Sequence, residues 1–220
     1  MINSERINFK SKRNKDTYQK WKKIVLKNIN SIKVKIVGEI YRHNCDYGIS
    51  TIDVSFKLNN IKFKRAVQLE GDSVVIIPII KIKNSKIEKT IMVEQFRISA
   101  GKKTLEFPSG GVHKSRYKDQ AILELREETS LKIQKKDLIE LNKKLINLMP
   151  GNNFARVKFY AFYKSLSLKE ISKYQNLTLG RNDQGEYIKT KIVNFKDLKK
   201  NLTASVLIGI KLIKDLNLIK

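Results

Sequence analysis

The run "DSVVIIPIIKIKN", Asp72 to Asn84, constrains this chain more than any other stretch. It is an almost unbroken series of β-branched residues, the pattern of a strand buried on both faces. "KTIMVEQFRIS" follows after a short turn and reads as its partner. Upstream, "IKVKIVGEIY" alternates apolar and polar residues as a half-buried strand does. "STIDVSFKLNNIKFKRAVQLE" holds two strand-like runs around Asn59-Asn60, a hairpin signal. Downstream, "YKDQAILELREETSL" has helical spacing, with Ala121, Ile122 and Leu125 on its apolar face and Asp119 near its start. "LINLMP" and "ARVKFYAFYKSL" read as strands around the turn "PGNN", "GEYIKTKIVNFKDLKKNL" as a strand and a helix start, and "TASVLIGIKLIKDLNL" as a closing helix. Strands, an acid-rich helix, more strands and a terminal helix make an α/β fold with a mixed sheet rather than an alternating βαβ series.

Three segments are expected: a basic tail over 1–20, frayed at least to residue 16; a helix and β-rich extension over 21–70, with Trp21 and Val25 sharing a helical face; and a main domain over 71–220. With 41% hydrophobic residues, 220 residues suffice for a real core. The formal net charge is +25. That excess favours phosphate-rich partners, yet the basic residues are spread along the chain and no nucleic-acid motif stands out, so nucleic acid is a possible partner but not the favoured one. Cys45 is the one cysteine and His43 and His113 are the two histidines. An intramolecular disulfide is excluded, and a zinc site is not expected. No apolar run is long enough to span a membrane and the N-terminus has no signal-peptide core. A cytoplasmic protein is the expectation.

Against this basic background, Glu124, Glu127 and Glu128 fall within five residues. On a helix they project from one side and repel one another, which asks for a compensating cation. A solvated charged face is the ordinary alternative. The preceding Pro-Ser-Gly-Gly loop changes the balance, since glycines let backbone approach a ligand closely. Several oxygen ligands with an open side suit Mg²⁺ or Mn²⁺.

"LEFPSGG…AILELREETSL" resembles the Nudix hydrolases, whose box ends in Arg-Glu-apolar-x-Glu-Glu-x-Gly-apolar. The flank "VVIIPIIK…IMVEQFRISAGKKTLEFPSGG" is similar to the ADP-ribose and ADP-sugar pyrophosphatase branch, and the likeness runs from about Arg65 to Tyr163. The resemblance implies an α/β/α sandwich with an N-terminal β-rich extension, and a homodimer. It implies metal-dependent hydrolysis of a nucleotide sugar to AMP and a sugar phosphate. Glu124, Glu127 and Glu128, with the Ser109 carbonyl, would hold the metal. Glu127 and Glu128 would serve the catalytic step. Arg97, Glu106, Gly110 and Gly111 would bind substrate.

The box is degenerate. Leu123 stands at the arginine position, Ser130 at the late glycine, and the first box glutamate has no counterpart, the loop offering Ser115 and Arg116. In "LMPGNNFAR", Pro150 and Gly151 remain, but Ala155 and Arg156 fall where the branch carries a further glutamate. Glu186 is then the candidate catalytic base, with a solvated loop residue as the alternative. Two other readings stay open: a weakened Nudix fold serving as a binding or regulatory module, and an RNA-directed Nudix protein. Arg97 is either a diphosphate clamp or the partner of Glu94 or Glu106. Trp21, Phe96 and Tyr160 are read as core or dimer-packing residues rather than base-stacking ones, His113 as a surface histidine, and Cys45 as a packed small residue.

Overall fold

The computed structural model describes residues 7–41, 48–112, 116–180, 187–200 and 203–219. His43, Cys45, His113, Ser115 and Glu186 lie outside them. The described chain forms two compact units, one of residues 1–72 and 147–156, the other of 73–146 and 157–220.

The first unit begins with helix α1, Lys12–Val25. The basic segment expected to fray is therefore helical from Lys12. Ser11 caps it by accepting the Asn14 N–H. The Glu39 carboxylate accepts the main-chain N–H groups of Lys10 and Ser11, at 2.8 and 2.9 Å, and the Asn14 side-chain amide at 2.7 Å. Three strands follow: β1 (Ile32–Tyr41), β2 (Gly48–Leu58) and β3 (Ile61–Ile82). They pair antiparallel in chain order. Asn59 and Asn60 both take positive φ, 48° and 64°, as a two-residue hairpin turn demands. Tyr18 and Trp21 of α1 pack with Val34, Ile52, Val54, Leu69 and Phe154 over one face of this small sheet. Trp21 is thus core.

The two strands expected on either side of Gly71-Asp72 form one, β3, which leaves the first unit there and enters the second. Two other features anchor this end of the first unit. Asp72, whose side chain has no exposed surface, meets Arg156 through Nε at 2.8 Å and Nη2 at 2.7 Å. Lys20 reaches the same carboxylate at 3.3 Å.

In the second unit β3 continues beside β4 (Glu88–Arg97), which pairs with β11 (Ile188–Asn194), and β11 with the short β10 (Thr178–Leu179). β5 (Lys102–Glu106) forms a hairpin with β4, and β6 (Ser109–Gly111) pairs with β3. β7 (Ile139–Glu140) and β8 (Ile146–Asn147) pair with β9 (Asn153–Leu166). Every pairing whose register is described is antiparallel. Helices α2 (Tyr117–Thr129) and α4 (Ala204–Asp215) are the long ones, and α3 (Leu168–Ser172) is a single turn.

Alternation along β3 explains the layering. Ile76 and Ile80 face a core that includes Ala121 and Leu125 of α2, Ile91 and Tyr160. Ile77 points the other way, and a Cβ at Gly209 of α4 would come within 2.9 Å of it. One helix therefore lies on each face of the sheet, which is why the β-branched run is apolar throughout. The expected α/β/α arrangement is the one observed; β3 also pairs with β9, and the bonds from Gln68 N–H to the Asn152 carbonyl and from Lys83 N–H to the Leu166 carbonyl advance the same way along both strands, so the sheet is mixed as expected.

Candidate active site

The site is built where β5, β6 and α2 converge. The peptide after Glu106 runs through Phe107, buried, and Pro108, whose carbonyl accepts the Ile76 N–H at 2.8 Å. Ser109 to Gly111 then pair with β3 as a short strand. The expected open glycine loop is thus a strand, and the space its glycine leaves is already used. A Cβ on Gly110 would overlap the carboxylate of Glu124. The glycine here makes room for a protein carboxylate against the main chain.

Helix α2 sets the registration of its acids. Asp119 lies in the first turn and Arg126 in the last, each complementing the helix dipole. Ala121 and Leu125 anchor the apolar side. One turn apart on the adjoining stripe, Glu124 and Glu128 both reach β6. Glu124 packs on Gly110 and accepts the Gln120 side-chain amide at 2.7 Å. Glu128 is 8% exposed and accepts the Ser109 main-chain N–H at 2.8 Å. Glu127 is half-buried. Ser130 closes the helix with φ 61°, the left-handed conformation that a glycine takes without strain. The backbone demand of the box is retained although its glycine is not.

A second cluster occupies the β4–β5 hairpin. In this register Gln95 faces Thr104 and Val93 faces Glu106, so Arg97, Thr104 and Glu106 share one face. Arg97 Nε donates to Glu106 Oε1 at 2.9 Å and Nη2 to Oε2 at 2.7 Å. The Thr104 hydroxyl donates to Oε1 at 2.5 Å. Burial pushes the Glu106 carboxyl upward, but the Arg97 and Thr104 hydrogen bonds outweigh it and hold it below the usual glutamate range. Glu94, the other proposed partner of Arg97, lies on the opposite face and meets Lys103 at 3.7 Å.

The structure thus brings Arg97 to Glu106, Glu124 to Gly110, and Glu128 to Ser109. Gly111 stands opposite Ser73 at the end of β6. Among the described residues, no three His, Cys, Asp or Glu side chains converge as a metal-holding group. The sequence reading missed Gln120, one turn before Glu124, and Thr104, two residues before Glu106. Both spacings place a polar partner on the same stripe or face, which was the available signal. Arg156 is turned to Asp72 in the first unit. Phe96 is 56% exposed rather than packed in the core, whereas Tyr160 is buried, burial and the nearby Glu140 pushing its hydroxyl up to about 12. Among the described residues, no helix is long and apolar enough to cross a membrane.

No protein-family model matches the chain. A curated relative, "Nudix hydrolase 14, chloroplastic" of Arabidopsis thaliana, is 27% identical over 132 residues, which is 56% of this chain and 43% of that protein. The chain therefore matches less than half the length of that relative. Among solved structures, the crystal structure of an ADP compounds hydrolase is similar, with a TM-score of 0.54 and 15% identity over 84% of this chain and 94% of that one. This second likeness is one of fold. The Glu-apolar-x-Glu-Glu pattern and its helix docked on the Pro-Ser-Gly-Gly segment agree with these two likenesses, and the chain is similar in sequence to a Nudix hydrolase and in fold to an ADP compounds hydrolase.

Proposed function

We propose that this chain is a pyrophosphohydrolase of ADP-linked compounds, of the ADP-ribose or ADP-sugar type, releasing AMP and a sugar phosphate. The observation that carries this reading is the joint seating of Glu124 on Gly110 and Glu128 on the Ser109 amide. Two carboxylates from one helix are held against backbone rather than left in solvent, the arrangement a cation site needs and a solvated helix face does not. The relatives' names support the substrate class.

The donor set is hard oxygen throughout, which suits Mg²⁺ or Mn²⁺. Glu124 and Glu128, with Glu127 and the Ser109 carbonyl, are the residues that would hold it. When bound, such an ion neutralises phosphate charge and acidifies water. The remaining roles fall to protein groups. Arg97 presents a planar fork to the diphosphate, as guanidinium does well. Glu106 and Thr104 fix that fork, so its orientation is set before substrate arrives. Gly110 keeps the backbone low enough for Glu124 to lie against it. Glu186 is the proposed base, and a homodimer in the cytoplasm is the proposed setting.

The test is AMP release from ADP-ribose, ADP-sugars, dinucleotides and capped RNA, with Mg²⁺ or Mn²⁺, beside a Glu124→Gln/Glu128→Gln variant. Metal-dependent cleavage that the variant lacks supports the reading. A second reading, a retired site serving as a binding module, draws on Leu123 at the box arginine and on the absence of a three-carboxylate cluster among the described residues. Equal release by the variant and the natural protein, both folded, would favour it.

A further inference from the structure

The alternation "IKVKI", "DVSFK", "IKFK" puts the apolar residues of these three runs on one face of the small sheet in the first unit. The other face is the consequence. The register sets Lys57 beside Lys62, then Lys33, Ser55 and Lys64 in one row, then Lys35, Asp53 and Ala66 in the next. All five lysines are exposed. Thr51 and Gln68 form the following row. Helix α1 covers the opposite side, so these lysines project away from the unit's own core.

Among these rows the face has one acid, Asp53, 31% exposed and paired with Lys64 at 3.2 Å. It carries no aromatic side chain among these rows, so it lacks the stacking platforms on which single-stranded bases rest. The lysine rows carry no large apolar side chain either, but the row beyond Thr51 pairs Ile40, 64% exposed, with Ile49, so a bilayer surface is the competing occupant that vesicles test. Lysines two residues apart on a strand stand about 6.6 Å apart, and neighbouring strands about 4.8 Å. That is a flat lattice of flexible cations, suited to the outward phosphates of a duplex. Interleaved hydroxyl, amide and carboxylate groups add hydrogen-bond partners. Asp53 would repel a bare phosphate row but can accept from a 2′-hydroxyl, the group by which proteins separate RNA from DNA.

We infer that the outer face of the β1–β2–β3 sheet is a docking surface for the backbone of double-stranded RNA. This does not depend on the hydrolase reading. Contacts are to phosphate and 2′-hydroxyl, and binding is independent of base sequence and steeply dependent on salt.

The test uses the full chain, a mixed-sequence RNA duplex, the matching DNA duplex, and phosphatidylserine vesicles. Affinity is followed across about 50–200 mM salt. The variant Lys33→Gln/Lys35→Gln/Lys57→Gln/Lys62→Gln/Lys64→Gln is compared with a control, Lys86→Gln/Lys132→Gln/Lys136→Gln/Lys169→Gln/Lys173→Gln, which removes as many exposed lysines from the second unit. Each phosphate contact contributes ~0.9 to the slope of log affinity against log salt. The face variant should flatten the slope by roughly 4, and the control by less than about 1. Asp53→Asn should narrow the preference for RNA over DNA. Equal losses in the two variants would mean that general basic charge does the binding, and would overturn the proposal. So would no duplex binding, DNA held as tightly as RNA, or vesicle binding lost with the same five lysines. Unchanged melting temperature of both variants keeps the comparison free of unfolding.

Discussion

Glu106 grips Arg97 with both carboxylate oxygens, at 2.9 and 2.7 Å, and Thr104 holds the same carboxylate from the side. The guanidinium is thereby aimed by two other residues of its own hairpin. Glu106→Gln keeps the shape and removes the charge. Under the proposed function, kcat/KM should fall on the order of tenfold, mostly through KM, because a loosened fork binds phosphate less well. Arg97→Lys should not do better, since an ammonium cannot make the paired contact. The stability cost is modest because the arginine side chain stays 43% exposed. Steady-state kinetics on both variants, with melting curves alongside, checks this.

Two carboxylates set an acid limit. Burial pushes Glu39 upward, but the N–H groups of Lys10 and Ser11 and the Asn14 amide pull its carboxyl below the ordinary range. Glu106 is lowered as well. A lowered folded-state pKa contributes stability above the unfolded value, near ~4.3, and loses it as pH falls through the folded value. The stability advantage of the natural protein over Glu39→Gln/Glu106→Gln should be constant above about pH 6 and vanish well below about pH 4. Urea midpoints across that range measure it. An advantage that persists at the acid end would show that neither pair carries the effect.

Gly110→Ala should act through Glu124. The new methyl overlaps the carboxylate, and a half-buried glutamate can swing away more readily than strand β6 can shift. The protein should fold, while activity drops by about a hundredfold under the proposed function. Adding Gly110→Ala to Glu124→Gln should then cost little more, since the two changes disable one contact. Additive losses would place the glycine's role elsewhere.

Ser130→Gly should stabilise the protein. Ser130 sits at φ 61°, where an L-residue is strained by ~1–2 kcal/mol. Glycine relieves that but gains freedom in the unfolded chain. A net gain of about 0.5–1 kcal/mol, or ~1–4 °C in Tm, is expected by calorimetry.

Much of this was legible in the chain. The β-branched run needs cover on both faces, the Asn59-Asn60 pair marks a hairpin, and the acid-rich helix carries its apolar stripe openly. Long-range polar contacts were not legible. Nothing near Lys158 announces that its amine is buried, yet it meets Glu140 at 2.6 Å and the carbonyl of Lys143 at 3.0 Å. Ser11 at the start of α1 is an ordinary cap, but the Glu39 that secures the same end is 28 residues away. Periodicity reports which face is apolar. It does not report which distant carboxylate meets which amide, and those meetings turned an expected tail into a docked helix.

Arg156 gives the last prediction, and the resemblance misleads there. The position invites replacement by glutamate to restore a lost catalytic group. Arg156 instead neutralises Asp72, whose side chain is fully buried, and lies over the Phe154 ring at 4.6 Å. Arg156→Met keeps most of the stem but takes the guanidinium from Asp72, which still meets Lys20. The loss should be roughly 2–4 kcal/mol, toward the lower end because Lys20 remains. Asp72→Asn/Arg156→Met should recover part of it, since no buried charge is then stranded. Arg156→Glu should be the worst of the three, setting two carboxylates together, and should restore no activity. Denaturant melts of the series decide the matter. If Arg156→Met were neutral, or Arg156→Glu both stable and faster, the arginine would be no structural ion-pair partner.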